Sequence, residues 1–219
     1  MKTFIEKIVR MRNPAFRFDT HIGTGTIISF FATQLKALLR AHSILLAGRN
    51  PKQMMMGKGV QFFNIARMQW GRFVRLGDFV YLNALGTEGI TLGNHVSIGA
   101  FSRLIVATTF DHIGKGIQIG NNVGIGEFAY LGGAGGLQIG DDCIIGQYLS
   151  CHPENHVTDD LNQPIRLQGV RRKGIIIGKN CWIGSKVTIL DGVTIGEGCV
   201  IAAGAVVNRS FPANSIIGG

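Results

Sequence analysis

The residues most able to do chemistry lie close together. Between Cys151 and Ile175 the sequence places His152, Glu154, His156, Asp159, Asp160, Arg166, Arg171, Arg172 and Lys173, a density of titratable groups that no other segment matches. A histidine among carboxylates suggests proton transfer. An imidazole, with an ordinary pKa of about 6.5, is largely neutral at pH 7 yet basic enough to take a proton from an attacking alcohol. His152 and His156 both qualify by type. Glu154 can accept a hydrogen bond from the His156 ring and fix its tautomer, or it can be a solvated loop carboxylate. The cations 171–173 can attract phosphates or form a solvated charge run. Cys151 is a nucleophile by type, but it holds a core place in the pattern that frames this segment. The glycine-rich run 132–136 is no phosphate loop, because no Lys-Ser/Thr follows it.

The frame that must position these groups is a six-residue repeat. Ile177, Ile183, Ile189, Ile195, Ile201 and Val207 follow in unbroken steps of six, and Gly follows the aliphatic residue at 178, 184 and 196. The fifth place is small or apolar in most hexads: Cys181, Val187, Val193, Cys199, Ala205, with Phe211 at the end. Earlier runs keep the period: Leu92, Ile98, Leu104; Ile119, Ile125, Leu131, Leu137; Ile139, Ile145, Cys151. Neither a helix, with period 3.6, nor a plain strand, with period 2, gives six. A short strand plus a turn does, as one side of a triangular coil. Three hexads close a coil of about eighteen residues, and coils stack about 4.8 Å apart as parallel strands. The aliphatic residues then line the inside, and the glycines are expected to serve tight turns at positive φ. Residues 152–174 interrupt this repeat, and a long excursion from a rigid solenoid points to function.

Composition narrows the setting. The 219 residues are 46% apolar and 16% charged, which excludes a disordered chain. Of the net charge of +9, residues 1–58 carry +8: ten Lys/Arg, among them Arg12, against Glu6 and Asp19. A basic arm (1–58) and a nearly neutral repeat domain (59–219) are therefore expected. Ile28, Phe31, Leu35, Leu38, Leu39 and Leu45 mark an apolar helical stripe in the arm, in a run too short to span a bilayer. Such a helix either packs on its own solenoid or lies on an anionic membrane surface. No interleaving of aromatics with Lys/Arg suggests a nucleic-acid groove. Four cysteines without Cys-x-x-Cys spacing, and no apolar core with a small-residue cleavage site at the start, lead us to expect a reducing cytoplasmic setting, at the inner face of the membrane if the arm binds lipid.

The segment 120–219 resembles the hexapeptide-repeat acyltransferases. Its order of motifs, Asn155-His156, Pro164-Ile165-Arg166-Leu167-Gln168-Gly169, Trp182-Ile183-Gly184 and Ile201-Ala202-Ala203-Gly204-Ala205, is similar to the branch that O-acetylates sugars of capsular and lipopolysaccharide chains. The resemblance implies a left-handed parallel β-helix, against the usual hand of parallel crossovers, and a homotrimer with sites between copies. It implies acetyl-CoA as co-substrate without a metal, a sugar acceptor, and His156 as general base, to which the nearby Glu154 would be the candidate partner by its own chemistry. Trp182, Gly184, Ser185, Ala203, Asn208 and Arg209 match its coenzyme side, with Arg209 neutralising a phosphate. A backbone N–H near Gly184 or Ser185 would serve the oxyanion. Two other functions fit the same fold: a zinc carbonic anhydrase using His152, His156 and His112 or His95, and a non-catalytic scaffold.

Overall fold

The computed structural model describes residues 2–11 and 14–218; Arg12, from the basic arm, lies outside them. The hexads become strands of two or three residues separated by turns, and the strands gather into three parallel sheets that form the sides of a prism. The first face has eight strands, from Met55–Met56 to Ile216–Ile217. The second has seven, from Gln61–Phe63 to Val206–Val207. The third has six, from Met68–Trp70 to Thr194–Ile195. Registers confirm the period: Ile145, Ile183, Ile201 and Ile217 align on the first face, Cys151, Ile189 and Val207 on the second, and Ile139, Ile177 and Ile195 on the third.

All of these residues are buried in one continuous core, as are the fifth-place residues Cys181, Val187, Val193, Cys199 and Ala205. Each fully buried aliphatic side chain contributes about 1.5–3 kcal/mol. Phe211 is only partly buried and bridges to Ile195 at the upper end of the third face.

The glycines meet the expectation in part: Gly192, Gly198 and Gly204 hold turns of the repeat at positive φ, but other turns do without glycine. Successive turns between the first and second faces are held at positive φ by Phe79, Phe101, Phe128 and Tyr148, whose rings stack at centroid spacings of 5.3, 5.1 and 5.0 Å. The ring spacing matches the rise of the coil, so the stack offsets the cost of left-handed backbone at non-glycine residues. Glycine is also required where coils touch. A Cβ on Gly126 would lie 2.5 Å from the Gln147 amide nitrogen, and one on Gly146 would lie 2.7 Å from that of Ser185.

The arm contains helix α1 (Lys2–Arg10) and helix α2 (Thr24–Ala41), followed by a 3-10 turn (His42–Ala47) that ends at Gly48 in the left-handed region. Helix α2 packs on strand Met55–Met56, and its Ala41, with Ile44 beyond it, joins the core at the base of the prism. It caps a solenoid end that would otherwise expose apolar residues.

Candidate active site

Two excursions leave the prism at the edge between the second and third faces. The chain departs after strand Arg103–Ile105 and returns at Gly114–Ile119; it departs again after Ser150–His152 and returns at Ile175–Ile177. Between the excursions lies a cleft of about 870 Å³, whose walls include Thr109, Asp111, Tyr130, His152, His156 and Arg166. The glycine-rich run makes room for the second departure. A Cβ on Gly135 would collide with the Pro153 carbonyl, and one on Gly132 would lie 2.8 Å from Pro153 Cδ. Its return is fixed by Asp191, whose carboxylate accepts hydrogen bonds from the backbone N–H groups of Lys173 and Gly174 at 2.9 and 2.8 Å.

Within the second excursion, Asn155–His156 pairs antiparallel with Val170–Arg171, setting His156 opposite Val170. The loop tip is knotted by Gln168, whose side-chain amide donates to the carbonyls of Asp160 and Gln163, both at 2.8 Å. His156 is exposed and lines the cleft. Among the described residues its ring has no hydrogen-bond partner. His152 closes the strand Ser150–His152, with Nε2 2.7 Å from Ser150 Oγ and its ring stacked on Tyr130 at 5.4 Å.

The expected contact between Glu154 and His156 is absent. The Glu154 carboxylate accepts from Arg172 Nε at 3.1 Å, because Arg172 is itself held in place: its terminal nitrogens donate to the carbonyls of Ile113 at 3.1 Å and His112 at 3.3 Å. Arg172 thus clasps the two excursions together. Arg171 pairs with Asp159, so two of the three cations at 171–173 are committed within the excursion. Asp111 faces the cleft, and a hydrogen bond from the Thr109 side chain holds its carboxyl below the usual range. Burial pushes the Cys151 thiol up to about 12, which leaves no thiolate for nucleophilic attack near neutral pH.

The residues matched to the coenzyme side fall into two groups. Trp182, 59% exposed, sits on the first face between Ile144 and Val200. Gly184, Ser185 and Ala203 lie at the turns from the first face to the second, where a Cβ on Gly184 would lie 2.5 Å from the Ala203 nitrogen. Ser185 Oγ donates to Gln147 Oε1 at 2.8 Å. The Gly184 N–H is committed to the Ile201 carbonyl at 2.8 Å, so it is not a free oxyanion donor. Asn208 and Arg209 follow strand Val206–Val207 on the far side of the second face, at the edge from which the excursions emerge, and the Arg209 guanidinium lies 5.2 Å from the Phe211 ring centroid. Within one chain, then, His156 and Arg209 share an edge, and the width of a face separates them from Trp182, Ser185 and Ala203.

Sequence reasoning missed the first excursion, residues 106–113, and the aromatic floor of Tyr130 and His152. The available signal was the repeat frame, which slips out of step between Leu104 and Ile119. His95 stacks on Phe73 at a different edge, 5.1 Å between centroids. Among the described residues no three His, Cys, Asp or Glu side chains converge in a way that could hold a metal ion.

Residues 174–209 match the family model described as bacterial transferase hexapeptide (six repeats). The chain is 28% identical over 168 residues to a probable acetyltransferase, Rv3034c, of Mycobacterium tuberculosis; the alignment takes in 75% of this chain and 46% of that protein. The chain therefore spans about half the length of that relative. A variant of AntD, an N-acyltransferase from Bacillus cereus solved with dTDP and coenzyme A, matches with a TM-score of 0.52 at 23% identity, over 65% of this chain and 75% of that one. That likeness is one of fold, a left-handed parallel β-helix carrying an N-terminal helix in this chain.

Proposed function

We propose that this chain, whose residues 174–209 match the hexapeptide-repeat transferase model, transfers an acetyl group from acetyl-CoA to a sugar hydroxyl, as in surface-polysaccharide or lipopolysaccharide synthesis, with His156 as general base. The observation that carries this reading is the cleft between the excursions, into which His156 presents an imidazole with no competing partner among the described residues. An acceptor hydroxyl bound against that ring gives up its proton as its oxygen attacks the thioester carbonyl. The tetrahedral intermediate collapses, the C–S bond breaks, and the coenzyme thiolate leaves and takes a proton. Tyr130 and His152 offer an aromatic floor of the kind on which a sugar ring packs, while Asp111 and Arg166 can bond its hydroxyls.

Glu154 acts here through Arg172, not on the imidazole. The coenzyme side, Trp182, Ser185 and Ala203, comes from a neighbouring copy in a trimer, with Asn208 and Arg209 beside the excursion taking coenzyme phosphates. This division accounts for the separation of the two groups in one chain.

The test is release of free thiol from acetyl-CoA, screened against nucleotide sugars and polyprenyl-linked oligosaccharides. With an acceptor in hand, His156→Ala lowers turnover at least about a hundredfold, since general-base catalysis is worth roughly 10²–10⁴. Near-normal turnover in that variant, with assembly unchanged, removes His156 from the chemistry.

A further inference from the structure

We propose that helix α2 docks the protein on an anionic lipid surface, lying in the headgroup region with its outward apolar face down. The proposal stands apart from the chemistry at His156.

The sequence left open whether the stripe packs on the solenoid or lies on a membrane; in the structure the helix meets the solenoid by one side and leaves most of the stripe exposed. Helix α2 attaches through Ala41 and the half-buried Ala37 and Leu38, with Ile44 beyond it. Ile28, Phe31, Leu35 and Leu39 lie about a quarter-turn away and are 49–62% exposed. Leu45 and Leu46, exposed on the following turn, lengthen the patch. Helices on a water-facing surface keep such a stripe for the core. No described helix is long and apolar enough to cross a membrane, so a bilayer would meet this one along its length.

Charge chooses between a bilayer and a second copy of the chain. From residue 20 to residue 77 there is no Asp or Glu at all, against eight Lys and Arg: Lys36, Arg40, Arg49, Lys52, Lys58, Arg67, Arg72 and Arg75. Pairing two copies through this face would bring cations together with no carboxylate from this stretch to offset them. An anionic leaflet instead supplies the missing charge. A groove of about 750 Å³ between α2 and the base of the prism fits the same partner: Leu35, Leu38, Leu39 and Leu45 line it, together with Arg49 and Lys52, whose cationic groups donate to the carbonyls of Ala66, Met68 and Trp70. An acyl chain suits the apolar lining.

The experiment is co-sedimentation of the full chain with vesicles of phosphatidylcholine alone, or with about one-third phosphatidylglycerol. The wild type binds the anionic vesicles at least about tenfold more tightly, and added salt weakens the binding. The double variant Phe31→Ser/Leu35→Ser, altered only on the exposed face, loses at least about tenfold in that affinity. Its circular dichroism and sedimenting mass without lipid stay those of the wild type. Lys36→Glu weakens anionic binding and leaves the weak neutral binding alone. Failure of the wild type to prefer anionic vesicles overturns the proposal. So does a fall in the double variant's sedimenting mass, which would assign the face to contact between copies. Thiol release with a water-soluble acceptor is the same in the double variant and the wild type, so failure here is separable from failure of the acetyltransferase reading.

Discussion

Replacing Arg172 by Ala tests whether the site depends on the clasp between the two excursions. The guanidinium is about a quarter exposed and its Glu154 partner more so, 24% and 41%. Solvent screening therefore holds that ion pair to no more than about 1 kcal/mol. The two charge-assisted bonds to the carbonyls of His112 and Ile113 add about 1 kcal/mol each. The sum, about 2–3 kcal/mol, acts on the spacing of the excursions and hardly on the prism, because none of the acceptors belongs to the core. At 1.4 kcal/mol per tenfold, its loss can lower the fraction of molecules with His156 correctly placed by about 30–140-fold. The expected result in the thiol-release assay is a kcat lower by at least about tenfold and a KM for acetyl-CoA within about threefold of wild type. The melting temperature should move by less than about 3 °C. Arg172→Lys keeps the charge but not the fork, and should recover only part of the rate. An unchanged kcat in the alanine variant would refute the clasp. A KM raised in proportion to lost kcat/KM, with kcat intact, would make Arg172 a coenzyme-phosphate ligand instead.

Two further predictions follow from packing. Gly146→Ala drives a Cβ against the Ser185 backbone at 2.7 Å and should destabilise by about 1–3 kcal/mol, whereas Gly124→Ala meets nothing within 4 Å and should be neutral or slightly stabilising; paired thermal melts separate them. All four cysteines are buried, so a thiol reagent at pH 8 should label none in the native protein and four after denaturation. Burial raises the Cys151 thiol from 9.0 to about 12 and Cys143 to about 11. The native state therefore keeps protons that the unfolded chain releases above about pH 9, and stability should fall as pH rises from 9 towards 12, with no contribution from these groups below that window.

How much could be read beforehand follows from what each feature depends on. Residues that point inward every sixth position leave a periodic trace, so the prism, its core and the break before Ile175 were legible from the run Ile177 to Val207 and the earlier runs that end at Cys151. His156 was legible because it stands inside that break. Arg172 was not, since its acceptors are backbone carbonyls about sixty residues earlier and carbonyls have no sequence signature. The pairing of Glu154 followed from Arg172 and was hidden with it. Glycine's second part was not legible because composition does not distinguish a left-handed turn from a close approach; Gly192, Gly198 and Gly204 hold turns at positive φ as expected, while Phe79, Phe101, Phe128 and Tyr148 hold others. The apolar stripe of α2 was visible, but the small residues Ala37 and Ala41, which mark the side against the solenoid, carry almost no signal.

The separation of His156 from Ser185 and Ala203 makes a quantitative claim about assembly. If each site joins the excursion of one copy to the coenzyme edge of the next around a ring of three, two different dead variants should repair one another. His156→Ala removes the base and leaves the coenzyme edge intact. Ala203→Phe, on an exposed turn, blocks that edge and leaves the base. In any mixed ring of three, going round in one direction, just one junction sets an intact excursion against an intact edge. Random mixing of equal amounts gives mixed rings about three-quarters of the time, each with about one site in three restored, so about one quarter of wild-type turnover should return after co-refolding. Sites confined to single chains would return nothing, since every chain carries one lesion. The two outcomes differ by far more than assay error, and a result near zero from rings shown by mass to be mixed would sink the shared site while leaving the fold untouched.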